Sequence, residues 1–365
     1  VLVVLVLVIR VLAWFGITQP RQYKTVVNGS SDPQRKALEP GNPSAAGQLS
    51  SAPPMRHGRL AYLVMGAAYP AQRWIRRSNW PDTSVLYLSW KRDVTQLTKN
   101  ITSPTFRTFF LPNSTWTTAR NRHLQLAKDL EAQQGWTFEF IVFADDDVTL
   151  GVRKLSNYSH VTWNTTNDDF AYERLHALLV RDRPLLAGVS FKEAAARPYS
   201  SASCIRRCTM DHMLVALHRT ALDFLPAYDA SLDATTWWAS AYMWNMYASA
   251  LLPKHCSFYR ELAVDERAQQ HADYPKRRAN RDGGDPLDDA RVTAGNRLAD
   301  AGVRDFSRDM KPRAVVNKLF SQLNPYSVRR EPCLVHGKGV DYAAVPGISA
   351  AAKFFSKISD LQSGA

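Results

Sequence analysis

The chain has 365 residues, of which 45% are hydrophobic, 22% charged and 11% aromatic. These fractions are ordinary for a folded core, and they exclude a disordered chain, a collagen-like repeat and a polytopic membrane protein. The formal net charge of +13 favours anionic partners such as phosphorylated small molecules, acidic glycans or acidic membranes. No C2H2 zinc-finger spacing, basic zipper or aromatic-basic RNA motif accompanies this charge, so we expect no nucleic-acid partner.

Residues 1–17, VLVVLVLVIRVLAWFGI, are apolar except for one charge at Arg10. A bilayer core needs about 20 apolar residues, so we predict a transmembrane signal anchor that is truncated at its start. Trp14 and Phe15 suit the membrane interface at its end. A cleaved signal peptide and a buried strand are the alternatives.

Residues 18–57 are rich in Pro, Ser, Gly and Gln and have few large apolar side chains. Such a segment buries too little surface to offset the entropy of ordering, so we predict a flexible stem. An anchor, a stem and a globular region form the layout of a type II membrane protein that faces a lumen. Five Asn-X-Ser/Thr sequons support this topology: Asn28, Asn100, Asn113, Asn157 and Asn164.

Four cysteines are present, at 204, 208, 256 and 333. In an oxidising lumen they allow three pairings, and the sequence does not choose among them. Two arginines between Cys204 and Cys208 argue against a cationic metal site, and His residues at zinc-ligand spacing are missing. We predict structural disulfides or buried free thiols.

Strands and helices alternate from residue 58 onwards. The predicted strands are 60–65, 84–89, 106–111, 138–143, 185–191 and 213–217. The predicted helices are one that follows Thr115 and ends near Gly135, one over 170–181 and a short one over 221–225. This order predicts an α/β sheet that binds ligands at the carboxyl ends of its strands. Residues 265–311 are densely charged, and we predict exposed helix and loop there.

Three consecutive aspartates, Asp145, Asp146 and Asp147, follow the apolar strand FEFIVF almost directly. If the chain stays extended, Asp145 and Asp147 point to the same side, because side chains alternate along a strand. Carboxylate oxygens suit Mg²⁺ or Mn²⁺, which can bridge the phosphates of a nucleotide. An acidic turn with no ligand is the alternative.

These residues resemble the GT-A-fold glycosyltransferases, which use nucleotide sugars. The aspartates match the D-x-D motif of those enzymes, and Ala119-Arg120-Asn121, 25 residues upstream from Arg120 to Asp145, matches a helix start found before it. The resemblance extends over about residues 58–275. It implies Arg120, Asn121, Asp145, Asp146 and Lys338 at the nucleotide sugar, and Asp145, Asp147 and His336 at Mn²⁺ or Mg²⁺.

The resemblance also suggests acceptor-side residues. An acidic residue after the donor site acts as general base in several such enzymes, and Asp211 is the first candidate here and Asp233 the second. Trp237 and Trp238 are candidates for stacking on sugar rings, although adjacent residues point differently and one of them is expected in the core.

Two other functions fit parts of the same sequence. Asp145-Asp146-Asp147-Val148-Thr149-Leu150 also matches the nucleophile strand of haloacid-dehalogenase-type phosphatases, with Asp145 as nucleophile and Asp147 as acid/base. Asp285 and Asp289 would then hold Mg²⁺, but no apolar strand precedes them. The second alternative is a non-catalytic, glycosyltransferase-like domain that binds glycans.

The sequence therefore predicts an α/β, GT-A-like, Rossmann-type mixed sheet flanked by helices, in one catalytic domain over 58–345, followed by a tail over 346–365. The resemblance implies a metal-dependent transferase that moves a sugar from a UDP-sugar, or alternatively a GDP-sugar, to a glycan or glycoprotein. We expect it in the Golgi or endoplasmic reticulum membrane with its catalytic domain in the lumen.

Overall fold

The computed structural model describes residues 59–315 with gaps at 68, 97, 102, 157–159, 165–167, 192–203, 207, 209, 223–226, 234–235, 237, 253, 267–286, 301, 304–305, 309 and 312–313. The predicted anchor (1–17), stem (18–57) and tail (346–365) lie outside the described residues. Within the described ranges, every helix is too short or too polar to cross a membrane.

One half of the sheet is parallel, in the order β3-β2-β1-β4. These strands are β1 (Leu60–Gly66), β2 (Thr83–Ser89), β3 (Phe106–Phe110) and β4 (Phe140–Asp145). Every residue of β1, β2 and β4 is buried, which agrees with the apolar runs LAYLVM, VLYL and FIVFA that these strands contain. The chain moves outwards from β1 to β3 and then returns to the other side of β1 as β4. The strand order therefore reverses between β1 and β4.

The other half of the sheet continues from β4 in the order β9-β7-β10-β5-β6, and β8 also pairs with β10. Its strands are β5 (Val148–Ser156), β6 (His160–Asn164), β7 (Leu186–Phe191), β8 (Cys204–Ile205), β9 (Leu214–His218) and β10 (Cys256–Glu266). β9 is antiparallel to β4, and β10 is parallel to β7. The described residues thus form one mixed ten-stranded sheet.

Helices cover both faces of this sheet. They are α1 (Gln72–Arg77), α2 (Trp116–Gln134), α3 (Asp168–Asp182), α4 (Arg219–Leu222), α5 (Trp238–Leu251) and α6 (Asp288–Asp300), with a 3-10 turn at Ala230–Leu232. Alternate residues of β1 enter two separate cores. Leu63 packs in the core that contains α2, α5 and α6, whereas Tyr62 and Val64 pack with α1 and α3.

Helix α2 carries both of its end signals in the sequence. The Thr115 hydroxyl accepts a hydrogen bond from the Thr118 amide, and the Thr118 hydroxyl oxygen accepts one from the Thr115 amide. Gly135 ends the helix at φ 68°, a left-handed conformation that costs glycine little. These caps fix where α2 begins and therefore where Arg120 lies along it.

The mixed α/β architecture expected from the sequence is confirmed, and the six predicted strands are present within two residues at each end. The interpretation of 265–311 needs correction. Helix α6 is not an exposed helix, because Ala290, Ala294 and Leu298 are fully buried in the same core as α5. Small side chains allow this close packing: a Cβ on Gly295 would lie 2.8 Å from a Val315 methyl carbon.

Two buried cysteines, Cys208 and Cys256, form a disulfide with a Cα–Cα distance of 5.1 Å. Cys204 is also disulfide-bonded. The prediction of structural disulfides is therefore confirmed for these three cysteines, while Cys333 lies outside the described residues. The Cys208–Cys256 bond joins the start of β10 to the segment before β9.

Candidate active site

The acidic triplet, which consists of Asp145, Asp146 and Asp147, lies at the edge of the sheet where the strand order reverses between β1 and β4. Asp145 is the last residue of β4 and is in register with Met65, next to the end of β1 at Gly66. The Asp146 amide donates to the Met65 carbonyl oxygen at 3.0 Å. Open α/β sheets bind ligands at such a reversal, outside the carboxyl ends of their strands. The sheet topology therefore makes this edge the first candidate for a binding site.

Asp145 forms a buried ion pair with Arg120. Arg120 Nη2 donates to Asp145 Oδ1 at 2.6 Å and to the His212 carbonyl oxygen at 3.0 Å. Burial raises the pKa of the Asp145 carboxyl to about 7, against the opposing charge of Arg120 and with help from the neighbouring aspartates. Arg120 itself is completely buried, with its guanidinium carbon 4.7 Å from the ring centres of both Trp116 and Phe143.

Asp146 is held by two side chains from other elements. The Tyr87 hydroxyl, from β2, donates to Asp146 Oδ2 at 3.0 Å, and the Arg73 guanidinium, from α1, donates to the Asp146 carbonyl oxygen. Burial, followed by the charge of Asp147, raises the pKa of Asp146 to about 6, although the bond from Tyr87 lowers it. Asp146 is therefore tied to the framework of the site.

Asp147 differs from its two neighbours. Asp147 is partly exposed, and no side chain or amide of the described residues donates a hydrogen bond to its carboxylate. Among the described residues, the Asp147 carboxylate therefore has no donor that holds it, whereas the carboxylates of Asp145 and Asp146 each accept a hydrogen bond from another element.

Strand pairing places Asp211 beside the acidic triplet. It stands just before β9, which runs antiparallel to β4, so the start of β9 lies beside the end of β4. The Asp145 amide donates to the Met213 carbonyl oxygen at 3.0 Å, and the Met213 amide donates to Asp211 Oδ1 at 2.9 Å. Burial raises the pKa of Asp211, and its charge helps raise that of Asp145.

Asn121 and Asp233 hold the segment before α5 against α2. The Asn121 side chain donates to the Tyr228 carbonyl oxygen at 2.8 Å and accepts from the Tyr228 amide at 2.7 Å. Asp233 Oδ1 accepts from the Thr117 hydroxyl at 2.6 Å, and Oδ2 accepts from the Thr115 hydroxyl. These contacts already occupy the polar atoms of both predicted site residues.

The remaining predicted residues are not brought to the triplet by any described contact. Trp238, the first residue of α5, is 58% exposed. Trp237, His336 and Lys338 lie outside the described residues.

Sequence reasoning missed Tyr87, Arg73 and His212. His212 Nδ1 lies 2.9 Å from the Tyr228 hydroxyl, and its backbone oxygen receives Arg120. The available signal was position: Tyr87 is near the carboxyl end of β2, and Arg73 follows the end of β1. Side chains at the ends of neighbouring parallel strands meet at one edge of the sheet.

The residues present fit a divalent cation in their chemistry. The charges of Asp146, Asp147 and Asp211 raise the pKa of Asp145, and the charge of Asp147 raises that of Asp146, so a cation bound among these carboxylates would relieve the repulsion. Within the described part of the chain, no three acidic, His or Cys side chains converge enough to hold a metal alone. An ion held here would need further ligands, such as water or phosphate oxygens.

The phosphatase alternative gains no support from this arrangement. It would need Asp285 and Asp289 to follow a strand beside β4. The neighbours of β4 are β1 and β9, and Asp289 lies in the first turn of α6. Asp285 lies outside the described residues.

His123, one turn after Arg120 on α2, is completely buried, and neither ring nitrogen has a hydrogen-bond partner among the described residues. Burial, and then the charge of Arg120, lowers its pKa from 6.5 to about 3. Below pH 6.5 the unfolded chain therefore binds a proton that the native state does not bind. Stability is lost as the pH falls from about 6.5 towards 3.

We accordingly expect His123→Leu to stabilise the fold by about 1 kcal/mol at pH 7.5, because it removes an unpaired buried polar group. The gain should grow by about 2 kcal/mol at pH 5, at about 1.4 kcal/mol per pH unit. Urea unfolding of both proteins at the two pH values measures it. The raised pKa values of Asp145 and Asp146 act in the opposite direction, but they are common to both proteins and cancel. If the stability gained by His123→Leu is the same at both pH values, the lowered pKa assigned to His123 is wrong.

No protein-family model matches the chain, and no curated protein matches it. Among solved structures, 38 chains match. One is a glycosyltransferase involved in the glycosylation of the major capsid of PBCV-1, 13% identical, with a TM-score of 0.22 over 45% of this chain and 62% of that chain. Another is a Desulfovibrio desulfuricans G20 protein assigned as a nucleotide-diphospho-sugar transferase, 11% identical, with a TM-score of 0.23 over 44% of this chain and 64% of that chain. The chain spans less than two thirds of either neighbour, and similarity of this degree establishes no family for it.

Proposed function

We propose that this protein is a metal-dependent glycosyltransferase that transfers a sugar from a nucleotide sugar, with UDP as the nucleotide, to a glycan or glycoprotein acceptor. The observation that carries the proposal is the acidic triplet at the end of β4, beside the reversal of strand order between β1 and β4. A nucleotide diphosphate is the ligand that such an edge and such carboxylates suit together.

On the donor side, Asp147 would hold Mn²⁺ or Mg²⁺ together with the diphosphate, because its carboxylate is the open one of the triplet. The ion would stabilise the negative charge on the departing diphosphate. Arg120 fixes Asp145, and Tyr87 with Arg73 fixes Asp146, so both carboxylates are held before any ligand binds. His336 as a further metal ligand and Lys338 as a phosphate contact remain proposals from the resemblance.

On the acceptor side, we favour Asp211 as the general base. It lies beside the triplet, and its raised pKa makes its carboxylate a better proton acceptor for a sugar hydroxyl. Asp233 would first have to release the Thr115 and Thr117 hydroxyls. The exposed ring of Trp238 offers a surface for a sugar face, as does Trp237 in the same proposal.

The proposed location is the Golgi or endoplasmic reticulum membrane, with the folded domain in the lumen behind its anchor and stem. The Cys208–Cys256 disulfide supports an oxidising compartment. Asn113, which begins a sequon, is exposed, as a lumenal glycan site would require.

We expect UDP with Mn²⁺ to raise the melting temperature of the protein, and we expect the rise to disappear in EDTA. A ligand at 100 times its Kd adds about 2.7 kcal/mol to the stability of the native state. Thermal unfolding with UDP, GDP or CMP, each with Mn²⁺ or EDTA, measures this. A rise with GDP alone would change the nucleotide assigned, and no rise with any of the three would overturn the proposal.

Two further assays separate the alternatives. Release of UDP from UDP-sugars in the presence of glycan acceptors would exclude a purely glycan-binding domain. Hydrolysis of a phosphate monoester such as p-nitrophenyl phosphate, together with no nucleotide response, would favour the phosphatase.

A further inference from the structure

Arg120 cannot be a surface contact for a ligand in this arrangement, because its side chain is completely buried. The rings of Trp116 and Phe143 flank its guanidinium, and Asp145 covers the end that faces the triplet. The two hydrogen bonds that its side chain makes to described residues both leave from one nitrogen, Nη2. Its Nε and Nη1 atoms make no hydrogen bond with any described residue.

A buried guanidinium is costly unless an anion pairs with it. In the described part of the chain Asp145 is the anion that pairs with Arg120. The same nitrogen also binds the His212 carbonyl oxygen, in the turn that carries Asp211. Arg120 therefore fastens the end of β4 to the start of β9, and so sets how the triplet and Asp211 face each other.

We propose that Arg120 is a positioning residue of the donor site, which acts on the bound nucleotide only through Asp145. The inference rests on the proposed function, and it deepens it by assigning Arg120 to the framework behind the triplet rather than to the nucleotide pocket. A residue that acts through another loses its effect once that other residue is gone.

The test is a double-mutant cycle on the affinity for UDP with Mn²⁺, measured by calorimetry on the full chain. The variants are R120M, D145N and R120M/D145N. A matched control is R183M, because Arg183 pairs with Glu139 at the opposite end of β4 and is far along the strand from the triplet. Thermal unfolding of each variant in EDTA shows whether it is folded.

We expect R120M and D145N each to weaken UDP binding by about tenfold, and the double variant to be no weaker than the worse single variant within about twofold. R183M should bind UDP like the wild type. If R120M does not fold, R120K replaces it in the cycle. Lysine keeps a charge beside Asp145 but loses the fixed geometry of the guanidinium, so we expect a loss smaller than tenfold that again disappears in the D145N background.

Two results would overturn this inference and leave the proposed function unaffected. The first is additive losses of about a hundredfold in the double variant, and the second is a loss in R120M with none in D145N; either means that Arg120 contacts the nucleotide directly. A wild-type protein that binds neither UDP nor another nucleotide with Mn²⁺ would overturn the proposed function, and the positioning role with it.

Discussion

Asp147→Asn is expected to abolish Mn²⁺-dependent binding of UDP and to leave the fold intact. The substitution is nearly isosteric, and no described residue donates a hydrogen bond to the Asp147 carboxylate. Replacing this carboxylate by an amide should therefore change the melting temperature in EDTA by no more than about 1 °C, because surface substitutions of this kind cost about 0.5 kcal/mol or less. The affinity for UDP with Mn²⁺ should fall at least about a hundredfold, about 2.7 kcal/mol.

Asp145→Asn is the matched comparison for this experiment. It removes the anion that pairs with the buried Arg120, so we expect about 3 kcal/mol of destabilisation as well as weaker binding. The two substitutions should therefore differ: Asp147→Asn weakens UDP binding alone, whereas Asp145→Asn lowers both UDP binding and stability. If the Asp147→Asn protein keeps the wild-type affinity for UDP with Mn²⁺, the assignment of the cation to Asp147 is wrong.

The parallel half of the sheet could be predicted because both of its faces are buried. LAYLVM and FEFIVF are continuous apolar sequences, and the strands β1 and β4 lie where they occur. Helix α2 could be predicted from its caps at Thr115 and Gly135 together with the spacing of its apolar residues.

Other elements gave weaker signals for identifiable reasons. Helix α5, WASAYMWNMYASAL, is apolar on almost every side, so it shows no helical period. Helix α6 has its buried residues at Ala290, Ala294 and Leu298, which is helical spacing, but alanine is too weakly hydrophobic to stand out among the surrounding charges.

In the candidate site, too, features set by neighbouring residues could be predicted, whereas contacts between residues far apart in the chain could not. The triplet could be predicted because its residues are consecutive and follow a strand. The contacts that organise it join residues far apart in the chain: Tyr87 reaches Asp146 across 59 positions and Arg73 across 73. Such pairs follow only from the strand order, which a single sequence does not specify. Arg120 could be predicted as a site residue, but its burial behind Asp145 follows from how α2 packs on the sheet.

Gly66→Ala is expected to destabilise the fold by about 4 kcal/mol and to abolish nucleotide binding. A Cβ at this position would lie 1.9 Å from the Tyr87 hydroxyl oxygen and 2.2 Å from Asp146 Oδ2, so the hydrogen bond between those groups fills the space above the glycine. Gly66 is paired with Ser89 in the sheet, so its backbone cannot move away. The two side chains must therefore separate, which adds the cost of overpacking to that of a lost hydrogen bond to a charged group.

Two controls make the Gly66 experiment specific. Gly135→Ala forces a left-handed φ of 68° on alanine with nothing within 4 Å of the new Cβ, so it should cost about 1 kcal/mol and leave UDP binding unchanged. Adding Tyr87→Phe to Gly66→Ala removes the atom nearest to the new methyl group and should recover part of the lost stability. UDP binding should not return with it, because Asp146 then lacks its hydrogen bond from Tyr87. Wild-type UDP affinity in Gly66→Ala would mean that the contact between Tyr87 and Asp146 does not organise the triplet.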